Sequence, residues 1–145
     1  MLRGFENIAN IVETNSARYL NEPGQYRLLI NNCRHHESTN PTKVGQAYFI
    51  AEMTVVESDN DNYRSGARVS FTKELTRNQK AVEDCMKFFK AATNEPDFKN
   101  FDEDFVAAVC GEEQMLEGKY VNANVYFKLL NNGNNFAVVD FTSVG

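Results

Sequence analysis

QAYFIAEMTVVESDNDNYRSGARVSFTKE, residues 46–74, decides the fold. Its first twelve residues are rich in Tyr, Phe, Ile, Val and Thr and read as a long β-strand. Ala47, Phe49, Ala51, Met53 and Val55 fall on one face, and Tyr48, Ile50, Glu52, Thr54 and Val56 on the other. The polar run 58–66 ends in Gly66 and reads as a turn. Ala67, Val69 and Phe71 then alternate with Arg68, Ser70 and Thr72. A strand sends successive side chains to opposite faces, so the whole stretch is a hairpin with one buried and one wet side.

Working outward, Gln25–Cys33 reads as a strand entered through the turn Asn21-Glu22-Pro23-Gly24. RHHESTNPTKVG, residues 34–45, reads as a polar loop holding both histidines. Upstream, Leu2, Phe5, Ile8, Ala9 and Val12 recur at helical spacing and predict a short amphipathic helix over residues 2–13. Downstream, Thr76 and Gln79 form a capping box for a helix that ends near Thr93, with Val82, Cys85, Met86 and Phe89 on its apolar stripe. Asp102 caps a shorter helix stopped by Gly111. Lys119–Leu129 and Asn135–Thr142 alternate as two strands about an Asn-Gly turn.

The order is three strands, two helices, two strands. This predicts a mainly β fold, a five-stranded OB-like Greek-key barrel with the helical part between its third and fourth strands. An open antiparallel sheet with helices on one face is the competing arrangement. The expected division is an N-terminal segment and turn, 1–24, followed by one OB-like domain, 25–145.

Composition narrows the function. The chain has 145 residues, with 11 Phe and 6 Tyr, enough for one packed core. A net charge of -5 argues against a generally basic nucleic-acid coat or a polybasic membrane anchor, but leaves room for a local basic groove. Residues 64–90 are basic on balance and residues 95–117 acidic. Cys33, Cys85 and Cys110 form neither a CxxC pair nor an even framework, so reduced thiols are expected. No apolar run is long enough to span a bilayer, and the first fifteen residues lack the apolar region of a signal peptide. Cys33, His35, His36 and Glu37 are metal-ligand types without a second cluster, so no metal and no other cofactor is expected. No GxSxG, phosphate-cradling glycine loop or Cys–His signature is present, and no enzyme is expected.

NEPGQYRLLI, GQAYFIAEMTVVES, the loop ending in GARVSF, the helix VEDCMKFFKAA and the strand MLEGKYVNANVYF together resemble small bacteriophage single-stranded-DNA-binding proteins of OB-fold type. The likeness spans about residues 21–142, and the chain departs from it in having no Trp. The resemblance implies a phage-encoded accessory protein that handles single strands in replication or recombination, in the host cytoplasm.

Single-strand binding needs cations for phosphates and aromatic faces for bases. The second and third strands with their flanking loops supply Arg34, Lys43, Tyr48, Tyr63, Arg64 and Arg68, and the fourth strand adds Tyr126 and Lys128 on its wet face. These eight are the expected nucleic-acid-binding residues, with Tyr48, Tyr63 and Tyr126 stacking bases. Glu52 is the residue least expected in such a groove. The alternative is a structural protein of a phage particle, in the virion, that decorates or joins larger subunits through its N-terminal segment and bipolar charge. Either reading implies homo-oligomers or viral protein partners, and no membrane.

Overall fold

The computed structural model describes residues 17–76, 79–95, 97 and 101–144. The expected N-terminal helix over residues 2–13 lies outside them. The elements are β1 (Ala17–Tyr19), β2 (Gly24–Glu37), a single 3-10 turn (Pro41–Lys43), β3 (Ala47–Ser58), β4 (Arg68–Glu74), α1 (Gln79–Thr93), α2 (Glu103–Cys110), β5 (Tyr120–Leu129) and β6 (Asn135–Ser143). Among the described residues the fold is mainly β with two helices.

The strands form one sheet in the order β1-β4-β3-β2-β5-β6. Among the described residues six strands form, against the five expected. The extra one, β1, runs parallel to β4 with Ala17 beside Arg68 and Tyr19 beside Ser70. Every other neighbouring pair is antiparallel. The sheet curls into a half-barrel. Phe71 on β4 and Phe141 on β6 are separated by three strands in the hydrogen-bonded order, yet their rings meet edge to face with centroids 4.8 Å apart.

Alternation explains the curl. Phe49, Ala51, Met53 and Val55 of β3, Val69 and Phe71 of β4, and Val121, Ala123 and Val125 of β5 are all buried on the inner face. Helix α1 seals this face along β6. Its Phe88 is fully buried, with centroids 5.6 Å from Phe71, 5.0 Å from Phe141 and 5.8 Å from Phe49. The stripe it buries is Ala81, Cys85, Phe88, Phe89 and Ala91, rotated from the expected one so that Val82 and Met86 are only half-buried. Phe89 also meets Phe101 and Phe105, which docks α2 on α1.

β2 departs most from the sequence reading. It runs on to Glu37, so His35 and His36 are strand residues paired with Phe49 and Tyr48, not loop residues. The apolar partner strand β3 holds this polar segment extended. A bulge between Ile30 and Asn32 shifts the inward face from Ile30 to Cys33, and the extra residue, Asn31, donates its amide to Thr54 Oγ1 at 2.7 Å. The Gln114 side chain then brackets Cys33: its Oε1 accepts from the Cys33 N–H and its Nε2 donates to the Cys33 carbonyl, both at 2.8 Å. These two bonds tie the segment after α2 to β2.

At the entry to β2, Gly24 has a φ of +153, and a Cβ there would lie 2.7 Å from Asp59 Oδ1. That carboxylate accepts from the Gln25 N–H at 2.8 Å, so the close approach fastens the β3–β4 turn to the start of β2. The expected capping box spans residues 77 and 78, which lie outside the described set. Thr76 donates its hydroxyl to the Glu74 carboxylate.

Candidate nucleic-acid interface

The outer face of β2, β3 and β4 carries the residues singled out on the hairpin. Arg34 on β2 and Arg68 on β4 flank Glu52 on β3. Arg34 Nη2 lies 3.0 Å from Glu52 Oε1, and Arg68 Nη2 lies 4.0 Å from Glu52 Oε2. Asn32 Nδ2 also donates to Glu52 Oε2, at 3.4 Å. Both arginines are half-exposed while the carboxylate is largely covered. Glu52 therefore spaces and orients two guanidinium forks on an open surface, and competes with any anion for them.

Tyr48 lies further along the same face of β3. Its hydroxyl donates to Gln46 Oε1 at 2.6 Å, and its ring tilts by 32° against that of His36, with centroids 6.4 Å apart. Tyr48 pairs with Glu74 at one end of β4, and Thr54 with Arg68 at the other. Six residues of extended chain separate these levels, so the aromatic pair and Arg68 are about 20 Å apart along the face.

Two of the expected residues, Tyr63 and Arg64, lie in the β3–β4 turn. Tyr63 is corrected to a core residue: it is only 2% exposed, meets Tyr26 edge to face at 5.9 Å, and donates its hydroxyl to the Tyr19 carbonyl at 3.2 Å. The turn folds back on itself through the Tyr63 N–H to Asn60 carbonyl bond, so the ring points inward and offers no face to a base. Arg64 is exposed in that turn, with Nε donating to the Asp61 carbonyl at 3.3 Å. Lys43 ends the 3-10 turn between β2 and β3, and its side chain lies outside the described set.

Tyr126 and Lys128 stand on the outer face of β5, where they pair with Val138 and Phe136 of β6. β5 lies on the far side of β2 from β3, so these two do not join the arginine face. Loss of solvent raises the Tyr126 hydroxyl above its ordinary pKa, and the negative charge of the Asp140 carboxylate adds to the rise. Tyr126 and Lys128 face a groove of about 460 Å³ between the first turns of α1 and the β5–β6 hairpin. Lys73, Lys80, Asp84, Lys87 and Phe136 also line it, none of them among the eight expected binding residues. Lys80, Asp84 and Lys87 share one helix face at i, i+4 and i+7, a signal that was legible.

A second, polar hollow of about 530 Å³ lies over Arg27, Glu57, Asn122 and Asn124. The Arg27 guanidinium packs 5.7 Å from the centroid of Tyr120, and its buried Nε has no hydrogen-bond partner among the described residues.

Cys33 and Cys85 are free and buried, and burial pushes both thiols up to about 12. Such thiols are poor nucleophiles at neutral pH. Among the described residues, no three His, Cys, Asp or Glu side chains gather to hold a metal ion, and no helix is long and apolar enough to cross a membrane. No protein-family model matches the chain, and a search of curated proteins finds no match.

Proposed function

We propose that this chain is a sequence-tolerant single-stranded-DNA-binding protein of a bacteriophage, acting in replication or recombination without a catalytic step of its own. The observation that carries the reading is the outer face of β2–β4, where Arg34 and Arg68 present guanidinium groups and Tyr48 and His36 present rings on one surface. Phosphates take the first pair and unstacked bases the second. The strand order supports it. With β1 set aside, β4-β3-β2-β5-β6 with the helices between β4 and β5 is an OB-like arrangement, and in OB-folds the face of the second and third strands binds oligonucleotides. The phage assignment rests on the sequence resemblance over residues 21–142.

The test is a titration of fluorescent oligo-dT at low salt, competed with unlabelled single strand and with duplex of equal length. Single strand is expected to compete far better than duplex, and Arg34→Ala with Arg68→Ala is expected to weaken binding. Absence of binding at low salt overturns the proposal. One observation favours assembly into a phage particle instead: Phe127 and Leu129, on the inner face of β5 past the end of the core, are 53% and 69% exposed. Stoichiometric recovery of the protein in purified particles would favour that reading.

A further inference from the structure

We infer that a bound single strand continues past Tyr48 into the groove between α1 and the β5–β6 hairpin, where Tyr126 and Phe136 stack bases and Lys80, Lys87 and Lys128 hold phosphates. The inference rests on the single-strand reading and extends it to a second wall of the molecule. The two surfaces adjoin: Tyr48 pairs with Glu74 across β3 and β4, and Glu74 and Lys73 line the near end of the groove.

The groove has the chemistry a sequence-tolerant path requires. Tyr126 and Phe136 are 40% and 38% exposed, large rings left open beside lysines. Its four lysines face three carboxylates, Glu74, Asp84 and Asp140, an excess of one positive charge. Two of the carboxylates are already engaged: Asp84 holds Lys73 at 3.1 Å and Lys80 at 3.8 Å, and Glu74 accepts from the Thr76 N–H at 3.2 Å. Lys87 and Lys128 have no carboxylate within salt-bridge distance among the described residues. An acidic peptide would use the lysines but not two open rings, which favours a nucleic-acid strand as the occupant.

The test is a ladder of oligo-dT lengths from about 4 to about 16 nucleotides, the span of OB-type site sizes. Wild type is compared with Lys87→Gln/Lys128→Gln and with Tyr126→Ala/Phe136→Ala, each checked for a native melting curve. Short oligomers are expected to bind all three alike. Long ones are expected to bind the variants on the order of tenfold more weakly, so that affinity stops rising at a shorter length. Asp84→Asn, which frees Lys73 and Lys80, is expected to tighten binding of the long oligomers only. Variants that follow the wild-type curve at every length overturn the groove and leave the strand face standing. If wild type binds no oligomer at low salt, the single-strand reading itself falls. Displacement of long oligo-dT by poly-glutamate at equal charge concentration as effectively as by poly-dT would also overturn the inference, in favour of an acidic-peptide site.

Discussion

Glu52→Gln is expected to tighten single-strand binding. The carboxylate lies 3.0 Å from the Arg34 guanidinium and 4.0 Å from that of Arg68, so it occupies the forks that phosphates need. A phosphate seated on Arg34 would lie roughly 7 Å from the Glu52 charge, allowing one hydrogen-bond length on each side of the guanidinium. Repulsion between unit charges at that distance is about 0.6 kcal/mol in bulk water and about 2.4 kcal/mol at an effective dielectric of 20. Removing it tightens binding by at least about threefold, with about tenfold the central value. The fold should scarcely notice. Both arginines are half-exposed, so the lost pairs cost between about 0 and 1 kcal/mol. Gln keeps an acceptor for the Asn32 amide. Anisotropy of labelled oligo-dT at low salt, beside a thermal melt, reads both quantities. Unchanged or weaker binding by a variant with a native melt would refute the placement of DNA on this face.

Other outcomes follow from the same geometry. Tyr63→Phe removes the hydroxyl that bonds the Tyr19 carbonyl and should cost about 0.5–1.5 kcal/mol in urea unfolding, with oligo-dT affinity unchanged. A loss of affinity would return Tyr63 to the interface. Phe88→Ala empties the centre of the aromatic cluster and should cost about 3–5 kcal/mol by the same measurement. Stability should also fall as pH rises from about 9 toward 12. Unfolded thiols near 9.0 give up protons there, while Cys33 and Cys85, pushed up to about 12 in the fold, keep theirs, as does Tyr26, raised from 10.0 to about 12. The unfolded chain then binds fewer protons, which favours it. Urea midpoints at pH 8 and 10.5 check the sign, and Cys85→Ala should reduce the drop.

The hairpin over residues 46–74 was legible because a period of two with large apolar residues has one physical meaning when a core must be filled. Phe49, Ala51, Met53, Val55 and Val69 are buried as their spacing required. Where the sequence reading went astray, contacts distant in the chain decided the outcome. β1 is three residues, Ala-Arg-Tyr, too short to show a period, and exists because the edge of β4 offers it a ladder. His35 and His36 look like loop residues, yet β3 holds them extended. Tyr63 sits in a run of polar residues that reads as exposed, and only the backward fold of the turn onto Tyr26 hides it.

Of the expected site, Arg34, Tyr48 and Arg68 share a face because their strands are neighbours. Tyr126 and Lys128 were separated from them by the position of β5, which no local pattern announces. The groove they do line draws on β4, α1 and both strands of the last hairpin. Its lysines could be counted in the sequence, but their convergence required the curl that brings β6 back toward β4.

The salt dependence of oligo-dT affinity tests the central claim most directly. Each phosphate engaged on a single strand contributes a slope of about −0.7 in log K against log salt, so contacts from Arg34 and Arg68 alone predict a slope of about −1.4 or steeper. Binding that weakens along such a line supports the strand face as a phosphate-binding surface. Absence of binding at low salt, or an affinity indifferent to salt, would contradict it.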